Sequence, residues 1–128
     1  MSNINNYEEY TLILGKGFAL NVYLPALLAI NYTKIVLISS VKNIIHIEAL
    51  SPNIRWIDDK EIINNKFFKI IIAEPPEEQF NLICNMNLWR NTDNLILEKP
   101  IADNYERAKY LINILNKNKV KYTINYSF

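Results

Sequence analysis

Both glycines of this chain fall within three residues of one another, in Gly15-Lys16-Gly17-Phe18-Ala19-Leu20, directly after the apolar run Thr11-Leu12-Ile13-Leu14. Glycine at the end of a strand permits a tight turn. A second one lets an anion approach the backbone N–H groups that open the next helix. The anion served by such a turn is a pyrophosphate. Two glycines also occur in plain structural turns, and the third position, small in a phosphate-binding turn, is here Leu20.

A second candidate group is Ser39, Ser40 and Lys42, just past the run Ile35-Val36-Leu37-Ile38. An acidic residue there would bind the ribose hydroxyls of an adenosine. Two hydroxyls and a cation suit a 2′-phosphate better, which favours NADP over NAD, with a capped, solvated loop as the plain alternative. Other chemistry is thinly supplied. Cys84 is the only cysteine, which excludes an internal disulfide and a thiolate metal cluster, and beside Ile83 it reads as core. His46 is the only histidine and lies away from the expected strand ends, so no metal site is expected. No pair of carboxylates and no nucleophile–base arrangement can be read.

The elements that must position these groups alternate. Apolar β-rich runs at Thr11 to Leu14, Lys34 to Ser39, Ile54 to Ile57, Phe68 to Ala73, Leu95 to Leu97 and Lys121 to Tyr126 are separated by helical patterns. The spacing of Leu20, Leu24, Leu27 and Leu28 predicts a helix over 18–30, which Pro25 should kink or reset. A short helix is expected over 41–50, and Asp58 or Asp59 should cap another that runs to Ile63. Pro75-Pro76-Glu77-Glu78 reads as a helix start, with the helix running to about Trp89. Asp103 with Glu106 reads as a capping box opening a helix over 104–117. Strands alternating with helices across short connections imply parallel neighbours and right-handed crossovers. The expected fold is α/β: a doubly wound, mainly parallel Rossmann sheet of about six strands in the order 3-2-1-4-5-6, with helices on both faces. Ligands of such a sheet bind beyond the carboxyl ends of its strands, where the strand order reverses.

The totals agree with one domain. The chain has 128 residues, half of them apolar, enough to bury roughly two thirds of the unfolded surface. Lys and Arg number 14 against 13 Asp and Glu, a net charge of +1, so no broad field would attract nucleic acid or an anionic membrane. The polar start lacks the basic and apolar regions of a signal peptide, and no apolar stretch nears the roughly 18 residues of a membrane span. A cytoplasmic protein is expected.

Three segments in order resemble one family. Gly15-Lys16-Gly17-Phe18 followed by Tyr23-Leu24-Pro25-Ala26-Leu27 is similar to the Gly-rich turn and His-Leu-Pro-Ala-Leu-like helix that open the glucose–fructose oxidoreductase, inositol dehydrogenase and rhizopine-catabolism family, Gfo/Idh/MocA. Ile72-Ala73-Glu74-Pro75-Pro76 through Gln79 is similar to its apolar-Ala-Thr-Pro-Pro-x-x-His segment, and Glu98-Lys99-Pro100-Ile101-Ala102 to its Glu-Lys-Pro motif.

The resemblance implies hydride transfer between a nicotinamide cofactor, NADP or NAD, and a sugar or cyclitol hydroxyl carbon. It implies that Gly15, Gly17, Phe18 and Ala19 lie at the pyrophosphate, and Ser39, Ser40 and Lys42 by the adenosine ribose. Pro75, Pro76 and Gln79 would lie on the nicotinamide side, with Glu98 beside them. Lys99 would be the catalytic residue, orienting substrate or assisting proton transfer, and its bond to Pro100 would be cis. Leu20, Glu74 and Gln79 depart from the family pattern. Relatives are expected to carry a second, substrate-binding domain, so residues 1–128 would form the NAD(P)-binding domain alone, catalytically incomplete without a second polypeptide or another copy. A place in surface-polysaccharide sugar metabolism follows by association only. The expectation from another class is a non-catalytic nucleotide-sensing or protein-interaction module of the same descent.

Overall fold

A computed structural model describes residues 7–15, 23–30, 32, 34–41 and 54–125. Six strands run β1 Thr11–Leu14, β2 Ile35–Ile38, β3 Arg55–Ile57, β4 Lys69–Ile72, β5 Asn94–Glu98 and β6 Lys121–Asn125. Their order across the sheet is β3-β2-β1-β4-β5-β6, and every pairing is parallel. The expected doubly wound sheet is therefore the observed one.

The strands form because their residues can be buried on both faces at once. β1 and β2 are buried at every position. Alternation then divides them between two cores. Leu12, Leu14, Val36, Ile38, Ile70 and Ile72 face one core with Phe67, Ile83, Leu111 and Leu115. Ile13, Ile35, Leu37 and Ile71 face the other with Leu24, where Leu27 and Leu28 also pack. The two layers are thus fed from opposite sides of the same strands.

α1 spans Leu24–Ala29, with Pro25 in its first turn, a position that proline tolerates. Residues 16–22 and 42–53, where the remainder of the first expected helix and most of the second fall, lie outside the described residues. The expected helix to Trp89 is interrupted. α2 spans Pro76–Phe80 and continues as a wider turn over Asn81–Asn85. Asn87, at φ 55°, then ends it, and a 3₁₀ turn follows over Leu88–Asn91. Asparagine tolerates that left-handed backbone better than most side chains.

α3 spans Tyr105–Lys117. Its cap corrects the expectation: the Asn104 side chain accepts the Arg107 N–H at 2.9 Å, while Asp103 pairs with the Arg107 guanidinium at 3.4 Å on the exposed side. Arg107 also lies 5.2 Å over the Phe80 ring, and Tyr110 meets that ring at 6.0 Å, which ties α3 to the end of α2. Asp58, not Asp59, caps the 3₁₀ turn Asp59–Asn64, through a capping box with Glu61. Cys84 is buried as expected, and burial pushes its thiol up to about 11. Among the described residues no helix is long and apolar enough to cross a membrane.

Asn104→Ala should destabilise the domain by about 1 kcal/mol, a loss of roughly 4 °C in Tm. Asp103→Ala should change stability by less than about 0.5 kcal/mol, because an exposed i,i+4 pair contributes little. Thermal unfolding of the two variants distinguishes the caps; equal losses would refute the assignment.

Candidate functional site

β1 is hydrogen-bonded to β2 on one edge and to β4 on the other, with Thr11 facing both Ile35 and Lys69. α1, which follows β1, and α2, which follows β4, pack on opposite faces of the sheet, and a crevice is expected above the strands' carboxyl ends. A cavity of about 360 Å³ lies there. That is within the roughly 300–1,000 Å³ common for small-molecule pockets.

The cavity is built by the ends of four strands. Leu14 and Gly15 come from β1, Ile38 and Ser40 from β2, Asp59 and Ile62 from the turn after β3, and Glu74 and Glu78 from the start of the segment after β4. Leu82, Met86 and Leu88 complete an apolar wall with Ile62 and Ile63. Ile63 and Met86 stay exposed at its edge. Gly15 has φ 126°, a backbone that a Cβ would oppose. The site therefore combines a glycine at the end of β1, an apolar slot and a rim whose described ionisable residues are all carboxylates.

Farther along the crest a polar cluster joins three elements. The Tyr23 phenol donates to the Glu98 carboxylate, and the Asn125 amide donates to the Tyr23 oxygen and, at 3.3 Å, to the same carboxylate. Burial, followed by the hydrogen bond to Glu98, pushes the Tyr23 phenol up to about 12. At neutral pH it stays a proton donor to the carboxylate.

Gln79 is fully buried within α2. Its amide nitrogen donates to the carbonyls of Glu98 and Ile101, each at 3.1 Å, and its oxygen accepts the Glu98 N–H at 3.0 Å. One side chain thus holds both ends of the Glu98-Lys99-Pro100-Ile101 turn. The Lys99–Pro100 bond is cis, and both residues are exposed. The turn presents Lys99 outward while Gln79 fixes it from within.

Of the residues expected from sequence, Gly15 and Ser40 meet on the cavity, while Ser39 is half-buried in the 3₁₀ turn beside it. Pro75 and Pro76 open α2. Glu98 belongs to the Tyr23 cluster, and Gln79 is engaged by backbone. Gly17, Phe18, Ala19, Leu20, Lys42 and His46 lie outside the described residues. Asp59 and the apolar wall were not anticipated. Asp59 was read only as a possible cap, although its place just past a strand's carboxyl end was a usable signal. Gln79 had one too: it precedes Ile83 by one turn on the buried stripe Gln79, Phe80, Ile83, Cys84.

The sequence pattern of the oxidoreductase family with an NAD-binding Rossmann fold, Gfo/Idh/MocA, matches residues 10–126. The chain belongs to this family. No curated protein sequence matches it. Among solved structures, an oxidoreductase from Bacillus cereus superposes with a TM-score of 0.68 at 22% identity, covering 91% of this chain and 34% of that one. The WlbA dehydrogenase from Chromobacterium violaceum, in complex with NADH and UDP-GlcNAcA, gives 0.65 at 14% identity, covering 98% and 37%. The transcriptional regulator Gal80p from Kluyveromyces lactis gives 0.65 at 15% identity, covering 95% and 35%. This Gfo/Idh/MocA chain spans about a third of the length of these structures, and the likeness is one of fold.

Gln79→Leu should cost about 3 kcal/mol, because three backbone groups lose their partner inside the protein. Urea unfolding checks it; a loss below about 1 kcal/mol would mean that the turn does not depend on Gln79. Tyr23 adds a pH dependence. A phenol raised from 10.0 to about 12 in the folded state contributes stability that is complete below pH 10 and lost as pH climbs toward 12. Tyr23→Phe should flatten the fall in urea midpoint over that interval. An unchanged slope would assign the alkaline loss elsewhere.

Proposed function

We propose that this chain binds a nicotinamide dinucleotide across the crest and serves as the cofactor-holding part of an oxidoreductase acting on a sugar or cyclitol hydroxyl. The observation that carries the reading is the cavity at the β1–β4 reversal, opening beside Gly15 at φ 126°. Its residues fit the group: Gly15, with no Cβ, for the pyrophosphate, apolar walls for a planar base, and a polar rim for a ribose. When bound, the nicotinamide would supply hydride transfer. This chain's share would be to orient it and to keep Lys99 extended on the Gln79-held turn, where an ammonium can stabilise a developing alkoxide.

Completion by a second polypeptide or another copy, residence in the cytoplasm and a role in surface-polysaccharide sugar metabolism belong to the same proposal. The solved dehydrogenase holding NADH and UDP-GlcNAcA supports it by analogy of fold.

One observation favours a second reading, a nucleotide-sensing or protein-interaction module. The Glu98 carboxylate is already taken by Tyr23 and Asn125, and the fold is shared with a transcriptional regulator. Binding of NADH with no hydride exchange even after a substrate-binding partner is supplied would select that reading.

Calorimetric titration with NADH is the direct test. Binding at micromolar to submillimolar concentration is expected, with Gly15→Val weakening it by about tenfold or more, since a β-branched residue cannot hold that φ. Absence of heat with NADH and NAD at millimolar concentration would overturn the proposal.

A further inference from the structure

β6 ends the sheet, and its outer edge is unbonded among the described residues. We infer that this edge pairs antiparallel with the same edge of a second copy, about a two-fold axis at Thr123, making a homodimer. The inference goes beyond the reading above and does not depend on a bound dinucleotide.

The backbone sets the register. Lys121 donates its N–H to the Asp93 carbonyl at 3.0 Å, and β6 runs parallel to β5, with Asn94 opposite Lys121 and Glu98 opposite Asn125. Successive residues of a strand turn their N–H and C=O to alternate sides, so Lys121, Thr123 and Asn125 face β5. Tyr122 and Ile124 therefore point theirs outward. An antiparallel partner needs outward-pointing residues opposite one another, where each pair exchanges two bonds. Centring the pairing on Thr123 sets Tyr122 against Ile124 of the second copy, and Ile124 against its Tyr122. The outward N–H and C=O of both residues are then satisfied.

The side chains fit that register. Tyr122 packs against the core that holds Leu95 and Leu97, and Ile124, opposite Leu97, lies on the same face. Both are half-buried, and the pairing sets an aromatic beside a β-branched side chain, a favoured cross-strand combination. On the other face Thr123 meets its own copy and Lys121 meets Asn125, so like charges do not stand opposite one another. A lysine deters edge pairing where it points inward or meets another cation; Lys121 is exposed and does neither.

α3 supplies an independent observation. Its Arg107 and Tyr110 face Phe80 of α2. At about 100° per residue, the opposite flank carries Tyr105, Ala108, Ile112 and Asn116 and overlooks the β6 edge. Tyr105 is 73% exposed, and Ala108 and Ile112 are only partly buried. A two-fold axis normal to the sheet brings this flank against the same flank of the second copy, which is how an isologous interface closes. The other edge of the sheet is a poorer template, because β3 has three residues and hands straight on to the Asp58–Glu61 capping box.

The test is the mass of the full chain by sedimentation equilibrium. At roughly 100 μM it should be twice the 15.0 kDa of one chain. Thr123 is exposed in one copy, so Thr123→Arg should leave the fold intact while setting two cations side by side at the axis. It should weaken dimerisation by about a hundredfold or more. Thr123→Asp should do the same, and mixing the two variants should restore the dimer mass. Ile124→Pro removes an outward N–H that β5 does not use, and it too should yield monomer. Phe68→Ser, at an exposed apolar position before β4, is the control and should stay dimeric. A monomeric parent chain would overturn the inference. A dimer that survives Thr123→Arg, or one that Phe68→Ser abolishes, would place the interface elsewhere and overturn it too. Failure of the mixed variants to restore the dimer would overturn the axis at Thr123.

Discussion

The structure depends on β1 being paired in parallel along both edges. A strand bonded to β2 and β4 at once must be apolar on both faces, which Leu12, Ile13 and Leu14 provide. It must also hand the chain upward to a crossover, because parallel neighbours cannot be joined by a hairpin. Burying β1 forces the layers to form on both faces, and reversal of strand order about β1 forces a crevice at its carboxyl end. The cavity beside Gly15 is a consequence of that pairing before it is a feature of any ligand.

The crest has two regions with different chemistry. Over β1 to β4 the rim is acidic and the walls apolar. Over β5 and β6 the polar groups satisfy one another, with Tyr23 and Asn125 on Glu98. The segment after β4 serves both. Its first residues, Glu74 and Glu78, line the cavity, while Gln79, next in the chain, reaches into the Glu98–Ile101 turn. Because α2 is anchored through Phe80 against Arg107 and Tyr110 of α3, a shift of α3 would be felt at both places.

The sheet was legible in the sequence because its signal is redundant. Ile70-Ile71-Ile72 and Ile35-Val36-Leu37-Ile38 are buried on both sides, and no other element of this length needs that. The extent of the helix after β4 was less legible, since termination is local and depends on single residues: Asn87 in a left-handed backbone ends the segment after α2. Capping was misplaced by one residue at Asn104 for a similar reason. Neighbouring Asp103 and Asn104 are both competent caps, and only the backbone geometry chooses.

The candidate site was legible only as far as it is made of motif. Gly15 and the Glu98-Lys99-Pro100 turn were visible as short patterns, but what Gln79 does was not. Resemblance put Gln79 on the nicotinamide side, and its structural task shows only from its position on a buried stripe. Once it is buried, its chemistry is forced, because an amide without partners in the interior would cost more than the helix could offset. The same reasoning runs in reverse for Asp59. Exposed and relieved of capping by Asp58, it carries no structural obligation that its position requires. Buried polar groups in this chain explain how the crest is held, whereas exposed ones such as Asp59 stand at the cavity without holding the fold together.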